Sequence, residues 1–224
     1  MDAGLRDIVR GRLGSESAVG DLRRYFGLEG GAAYTGARFE HLGGGGDRDG
    51  VADVVTAEDL VAVQMLSVTV SAKGALELLE GEPGRRLSGL LRRIPVDADM
   101  ADVDAAELDT GSAAVLAWKL LRTVDGIGWV TAGKLLARKR PRLVPVYDNV
   151  VKCLLGRPSA FWLPLHTALR ADDHALRHTL LDLRKRAGIP ETVSALRVCD
   201  IVLWMAHEQD HKARRCAGHG TISV

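Results

Sequence analysis

The chain has little cysteine, almost no net charge and no long hydrophobic run, and each shortage excludes a class of protein. Three cysteines, Cys153, Cys199 and Cys216, are too few and too scattered for a disulfide framework or a four-thiolate cluster. They are typical of core or tail thiols in a reducing compartment. No stretch reaches transmembrane length, and the charged N-terminal residues contain no apolar core of signal-peptide length. We therefore expect a cytoplasmic protein with no membrane partner.

The remaining composition describes a folded chain without an overall electrostatic preference. Hydrophobic residues make up 46% of its 224 residues and charged residues 26%, which is enough for a core and excludes global disorder. Lysine and arginine number 30 against 29 acidic residues, giving a formal net charge of +1. Dedicated DNA-binding proteins usually carry a clear basic excess. Any contact with nucleic acid must therefore come from local clustering of charge.

Apolar residues recur mostly at helical spacing, so the sequence predicts a mainly α fold. Thr56 and Asp59 resemble a capping box at a helix start. Further helices are predicted near residues 5–13, 72–80, 84–93, 100–108, 112–123, 129–138, 148–156, 172–188 and 192–212. One exception is AYTGARFEHL (33–42), beside the Gly-rich run of 43–46, which predicts a short N-terminal strand or β-hairpin.

The segment 112–150 carries the strongest functional signal. Two amphipathic helices meet there at the turn Gly126-Ile127-Gly128, where glycine allows the chain to reverse without a Cβ clash. Ile127 is expected to fill the core. The amides of Gly126, Gly128 and Trp129 then stand as donors at a helix start, where partial positive charge favours a phosphate.

The densest basic cluster of the chain follows this turn. Its predicted DNA-contacting members are Lys134, Arg138, Lys139 and Arg140, and Arg142 lies close behind them. Phosphate contacts of this kind give affinity without sequence preference. A solvated helix face is the alternative meaning of such a run.

These residues resemble the helix-hairpin-helix DNA glycosylase superfamily, which includes endonuclease III and 8-oxoguanine glycosylase. The motifs that carry the resemblance are Gly126-Ile127-Gly128, the pair Thr131-Ala132, and Tyr147-Asp148-Asn149-Val150 in the family register. The resemblance implies two helical lobes, a duplex DNA partner contacted also near Thr131, and Asp148 as the catalytic carboxylate. In that family a damaged nucleotide is flipped into a pocket, where the aspartate stabilises positive charge on the deoxyribose and orients water. Over more of its length the chain is similar to actinobacterial proteins without an assigned activity.

Departures from the family pattern narrow what the resemblance implies. Val130 stands where bifunctional members carry their lysine, so strand cleavage through a Schiff base is not expected. Val150 replaces the histidine of the aspartate segment, and Asp125 replaces the usual proline before the hairpin glycine. The iron–sulfur cysteines of endonuclease III are absent. The prediction is a monofunctional N-glycosidic hydrolase with neither cofactor nor metal.

For several residues the sequence leaves two possible roles open. Asp148 also suits a plain helix N-cap, a role that aspartate often fills. Tyr147 and Asn149 are candidate pocket residues, although core packing suits Tyr147 as well. Asp200, on the apolar face of the last helix, either pairs with an arginine or lines a pocket.

A competing motif is His207-Glu208-Gln209-Asp210-His211, which fits the zinc-protease pattern of two histidines one helical turn apart. Asp210 is charged where that motif has an uncharged residue, and His219 is the one obvious third ligand. We therefore predict no zinc hydrolase.

The resulting organisation has three segments. Residues 1–55 are predicted to pack with a C-terminal lobe of 143–224, and residues 56–142 to form the lobe with the hairpin. Two alternatives to the glycosylase stay open: a non-catalytic DNA-binding protein that keeps the hairpin, and an enzyme acting on a nucleoside or another small molecule.

Overall fold

The regular structure of the protein is helical. The computed structural model describes residues 3–158 and 160–213, and over these ranges it contains α-helices and short 3₁₀ turns but no β-strand. The α-helices are α1 (Ala3–Leu13), α2 (Ser17–Tyr25), α3 (Ala57–Gln64), α4 (Ala72–Leu79), α5 (Glu82–Leu91), α6 (Ala113–Leu121), α7 (Trp129–Lys139), α8 (Asn149–Leu154), α9 (Trp162–Ala187), α10 (Ala195–Met205) and α11 (Glu208–Lys212). The prediction of a mainly α fold is confirmed. None of the described helices is both long and apolar enough to cross a membrane.

The predicted strand or hairpin at 33–42 is wrong. Thr35–Arg38 forms a single 3₁₀ turn instead. Its Thr35 hydroxyl donates a hydrogen bond to the Met65 carbonyl at 2.9 Å, and Phe39 just after it is buried. Contacts to distant side chains and backbone thus hold this segment, so it needs no neighbouring strand.

The predicted helix at 100–108 is also wrong over most of its length, because only Ala105–Leu108 forms a 3₁₀ turn. Two aspartates explain the loss. The Asp99 carboxylate accepts from the Ala101 amide and the Asp104 carboxylate from the Ala106 amide, both at 2.9 Å. Such local side-chain bonds compete with the helical ones.

The other helices match their patterns with shifted ends. Thr56 and Asp59 form the predicted capping box at the start of α3. Asp172 does not cap a helix; it lies in a break within α9, where Asp172, Asp173 and His174 all have positive φ. The predicted last helix is divided into α10 and α11. Helix α2 has no counterpart in the sequence prediction.

The chain forms two compact units whose limits differ from the predicted segments. The terminal unit comprises Met1–Tyr34 and Tyr147–Val224, and the central unit comprises Thr35–Val146. Residues 35–55 therefore belong with the central segment, and not with the C-terminal lobe as predicted. The reason is that basic side chains at the end of α7 donate hydrogen bonds to backbone carbonyls of residues 39–52.

Within the terminal unit, α10 is the central helix. Helices α1, α2, α8, α9 and α11 all pack against it. Accordingly α10 is buried along nearly its whole length, and its side chains include the charged Arg197 and Asp200. In the central unit, α3 packs on α7, α7 on α6, α6 on α5 and α5 on α4. Every residue of α7 from Thr131 to Lys139 is buried.

Candidate functional site

The α6–α7 turn (residues 122–128) has the sharp reversal that its glycines predict. Gly126 has a φ of +70°, and a Cβ there would stand 3.2 Å from the Ser71 side chain. Gly128 has an ordinary φ of −79° and open space around its Cβ position. Only Gly126 is therefore required by backbone geometry. Ile127 is buried, as predicted, while Gly126 and Gly128 are exposed.

The start of α7 is fixed by a bond to α6. The indole nitrogen of Trp118 donates to the Trp129 carbonyl at 3.2 Å, and Trp129 is half-buried. Thr131 is buried, so its side chain faces the interior of the central unit. The sequence prediction that Thr131 contacts DNA is therefore wrong for its side chain.

Two acids and one lysine surround the turn. The Asp125 amide donates to Glu77 Oε2 at 3.3 Å, while Asp125 Oδ2 accepts from the Ser71 hydroxyl at 2.9 Å. Lys73 Nζ lies 3.6 Å from Asp125 Oδ1. Arg122, an exposed residue of the turn itself, adds a second positive charge, so these side chains balance and give a phosphate no net attraction.

The predicted DNA-contacting cations lie inside the central unit. Lys134, Arg138, Lys139 and Arg140 are 3%, 1%, 1% and 0% exposed. The prediction that these four side chains contact DNA phosphates is wrong, because a buried ammonium or guanidinium cannot reach a ligand outside. Arg142, which follows them, is exposed and donates to the Val96 carbonyl at 3.3 Å.

Backbone carbonyls and two aspartates occupy these cations. Arg138 donates to the Phe39 and Leu42 carbonyls and, at 3.1 Å, to Asp59 Oδ1. The ammonium of Lys139 donates to the Gly46 and Val51 carbonyls at 3.1 Å and pairs with Asp59 Oδ2. Burial lowers the pKa of Lys139, and the Asp59 charge acts in the opposite direction.

Arg140 and Lys134 are held in the same way. Arg140 donates to four carbonyls, including those of Ala52 at 2.9 Å and Leu91 at 2.6 Å, and to Asp53 Oδ1 at 2.6 Å. Lys134 Nζ donates to the Leu66 carbonyl at 2.7 Å. The Gly-rich segment fits closely around this cluster, because a Cβ at Gly46 would stand 2.6 Å from the Arg138 carbonyl oxygen. The basic run is therefore a structural feature of the central unit.

Asp148 begins α8 in the terminal unit. Its Oδ1 accepts from the amides of Val150 at 3.0 Å and Val151 at 3.1 Å, so Asp148 is the N-cap of this helix. The residue is half-buried. A cap of this kind fixes the carboxylate relative to the backbone and stabilises its negative charge through two N–H donors. Asn149, the next residue, is exposed.

A buried polar cluster that the sequence did not predict lies in the same unit. Arg197 on α10 donates to the Tyr25 hydroxyl at 2.7 Å and forms an ion pair with Asp200. Of the two readings left open for Asp200, pairing with an arginine is thus confirmed. Burial raises the pKa of Tyr25, Arg197 lowers it, and the negative charges of Asp200 and Asp148 raise it further. The negative charge of Asp148 therefore lies close enough to Tyr25 to raise the pKa of its hydroxyl.

Aromatic rings surround this cluster. Tyr34 stacks on Tyr25 with ring centroids 5.2 Å apart, and the Trp204 ring meets both edge-on. Tyr147 stacks on Phe161 at 4.1 Å, and burial raises the pKa of Tyr147. Tyr147 therefore packs against a ring of its own unit, which agrees with the core reading of this residue.

The zinc-protease motif does not have the geometry its pattern requires. His207 precedes α11 with a φ of −136°, so the two histidines do not share a regular helix. Glu208, which would be the base, is buried and pairs with Lys212 at 2.5 Å. His207 Nε2 instead lies 3.2 Å from the Sγ of Cys153 on α8. The proposed third ligand, His219, and the tail thiol of Cys216 lie outside the described residues.

Comparison with known proteins identifies a family. The model of a family of unknown function, DUF6308, matches residues 18–207. The chain belongs to the DUF6308 family. Its matched range includes the α6–α7 turn, Asp148, Cys153 and His207, but the family description assigns no activity to any of them. No curated protein and no solved structure matches this DUF6308 chain significantly.

Sequence reasoning missed the features of the site that join distant segments. Tyr25 and Arg197 are separated by 172 residues and Cys153 and His207 by 54. The signal for the first was the pair of charged residues on the apolar face of α10, where burial demands a partner. For the second, no pattern in the sequence links the residues.

Proposed function

We propose that this DUF6308 protein is a monofunctional N-glycosidic hydrolase of the helix-hairpin-helix glycosylase type, acting on a modified base in duplex DNA. The observation that carries the proposal is the Asp148 carboxylate, held in place through Oδ1 by the amides of Val150 and Val151. In the proposed reaction this carboxylate stabilises the positive charge that develops on the deoxyribose as the base leaves, and it orients the attacking water. Val130 at the lysine position supports base release without strand cleavage.

The DNA contact in this proposal rests on the backbone of the α6–α7 turn and not on the basic run. Gly126 and Gly128 are exposed at the start of α7, where amide donors favour a phosphate. Because the four buried cations release no counterions, they should add nothing to the salt dependence of binding. For a duplex with a stable abasic-site analogue, we expect log K to fall against log salt with a slope shallower than about −3.

The first experiment compares Asp148→Asn with the wild type. Asparagine caps helices as well as aspartate does, so the fold should persist. Base release from duplexes carrying a panel of modified bases, measured under single-turnover conditions, should fall by about 100-fold or more because the stabilising charge is lost. Asp104→Asn is the matched control, since Asp104 also caps through its carboxylate but lies in the central unit. Equal base release by Asp148→Asn and wild type would exclude Asp148 as the catalytic carboxylate.

Asp125→Asn tests the DNA contact separately. This variant keeps the oxygen that accepts from Ser71 and removes one negative charge beside the turn. We expect tighter binding to the abasic duplex in fluorescence anisotropy, with the largest gain at low salt. Unchanged binding would place the DNA elsewhere. Binding without any base release by the wild type would favour the non-catalytic DNA-binding alternative.

A second candidate function is hydrolysis of a free nucleoside or a related small molecule. The burial of the four basic side chains favours it, because a small substrate needs no extended phosphate-binding surface. Incubating the protein with nucleosides in the absence of DNA and measuring the released base by chromatography tests this function. Release that requires Asp148 but not DNA would replace the glycosylase proposal.

A further inference from the structure

Three metal-ligating side chains converge in the terminal unit, apart from Asp148 and the α6–α7 turn. They are Cys153 from α8, His207 from the junction after α10, and His211 from α11, and their ligand atoms all lie within 4.8 Å of one another. We propose that these three residues bind a zinc ion, with a water molecule as the fourth ligand, and that the ion ties α8 to α11. The proposal does not depend on the glycosylase function.

The donor set suits zinc. One thiolate and two imidazoles are the ligands that Zn²⁺ prefers, whereas Mg²⁺ and Ca²⁺ take oxygen ligands. Tetrahedral bonds of about 2.3 Å to sulfur and about 2.0–2.1 Å to nitrogen put neighbouring ligand atoms about 3.3–3.6 Å apart. His207 Nε2 and Cys153 Sγ are already 3.2 Å apart. The site therefore needs side-chain adjustments rather than backbone rearrangement.

The local fold holds the ligands without the ion. The His211 amide donates to the His207 carbonyl at 2.9 Å, which keeps the two histidines on one turn of chain. Their rings are tilted by 52° with centroids 5.9 Å apart, so they do not stack on each other. Glu208 pairs with Lys212, whose ammonium also lies 5.6 Å from the Trp204 ring centroid. All three ligands are half-buried, so an ion can enter from solvent.

The position of the site gives it a role. Helix α8 has only six residues, with Asp148 capping its start and Cys153 near its end. So short a helix gains little stability from its own hydrogen bonds. An ion that joins Cys153 to His207 and His211 would fix the far end of α8 against α10 and α11, which both contact it. A bound ion would thereby also restrain the backbone that carries Asp148.

The alternative use of the close pair is a thiol activated by an imidazole, as in cysteine nucleophiles. That chemistry needs Cys153 and His207 alone, so it gives no role to His211. The convergence of the second histidine favours a metal. The two readings also differ in thiol chemistry, because zinc protects a cysteine from alkylation whereas an activated nucleophile reacts faster.

The test uses the full chain, stripped with a chelator and titrated with Co²⁺ as a spectroscopic substitute for zinc. We expect one ion per chain, the strong d–d absorption of a tetrahedral site, and a thiolate-to-cobalt charge-transfer band. Cys153→Ser should abolish the charge-transfer band. His207→Gln and His211→Gln should each weaken zinc binding by about 100-fold or more, since even outer-shell partners contribute 10–100-fold.

His178→Gln is the matched control, because His178 is an exposed histidine of the same unit that lies outside the cluster. It should leave the titration unchanged. His211→Cys keeps a zinc ligand at that position, so it should retain the ion and shows that any loss in His211→Gln comes from ligation and not from misfolding. A titration without tetrahedral absorption, or a charge-transfer band that survives in Cys153→Ser, would overturn the proposal. Rapid alkylation of Cys153 that zinc does not slow would overturn it in favour of the thiol–imidazole pair.

Discussion

Replacement of Asp59 by asparagine is the most direct test of the buried cation cluster. The Asp59 side chain is 1% exposed and faces two cations, with Oδ1 3.1 Å from Arg138 Nε and Oδ2 paired with Lys139. The same Oδ2 accepts from the Thr56 amide at 2.9 Å and completes the capping box of α3. The variant leaves a carboxamide of the same size, which removes the one negative charge shared by the two cations.

The expected loss follows from the burial of the partners. Removing one member of a buried ion pair leaves an uncompensated charge in the interior and costs about 3–5 kcal/mol. For a chain of this length, each kcal/mol lowers Tm by about 2–4 °C, so Asp59→Asn should lower Tm by about 6–20 °C. Loss of the Asp59 charge should also lower the pKa of Lys139 further, because burial already lowers that pKa and Asp59 opposes the shift.

Thermal and urea unfolding followed by circular dichroism measure this loss. Glu58→Gln is the matched control, since Glu58 is the neighbouring acid and its pair with Arg48 at 2.6 Å is partly exposed. That variant should change the free energy of unfolding by about 0–1 kcal/mol. If Asp59→Asn were within about 1 kcal/mol of the wild type, the cations would not depend on Asp59.

Two further predictions test other parts of the structure. Gly126→Ala should destabilise the α6–α7 turn by about 1 kcal/mol or more, because Gly126 has a φ of +70°, whereas Gly128→Ala should be nearly neutral in urea unfolding; equal effects would refute the turn geometry. Burial raises the pKa of the Cys199 thiol to about 12, above its value in the unfolded chain. The unfolded chain therefore loses this proton first, so the stability of the native protein falls as the pH rises above the unfolded pKa. Between about pH 8 and about pH 10.5 this thiol should account for a loss of about 2 kcal/mol that Cys199→Ala lacks, and an equal pH dependence in both proteins would contradict the assignment.

The sequence predicted best those elements whose signals are local. The capping box of Thr56 and Asp59, the stop at Gly188 in the left-handed conformation, and the turn at Gly126 each depend on residues within a few positions. Capping and turn preferences are properties of short segments, so they can be read without the fold. The mainly α class was predictable for the same reason.

Apart from the helix predicted at 100–108, which local aspartate bonds disrupt, the failures involve side chains that contact distant partners. Thr35 binds a carbonyl 30 residues away, which turned a predicted strand into a 3₁₀ turn. Arg197 contacts Tyr25 across 172 residues, so the only sequence signal for the polar cluster was the charged pair Arg197 and Asp200 on the apolar face of α10. Partners of this kind are set by packing, and periodicity carries no information about them.

The basic side chains of residues 134–140 bind backbone carbonyls inside the central unit and not DNA phosphates. Residues 35–55, which contain the Gly-rich run 43–46, have no regular helix or strand apart from the 3₁₀ turns Thr35–Arg38 and Leu42–Gly44, so their backbone carbonyls need donors from elsewhere. Arginine offers five N–H donors and lysine three, and neither accepts a hydrogen bond, so these side chains suit a surface made of carbonyls. The bonds from Arg138 to Phe39 and Leu42 and from Lys139 to Gly46 and Val51 are such contacts. The cations at the end of α7 and the segment with the glycine run, although distant in the sequence, are thus joined by one network of hydrogen bonds. The four buried cations therefore add nothing to the salt dependence of DNA binding, and any charge-dependent affinity of the proposed enzyme must come from exposed side chains such as Arg122 and Arg142.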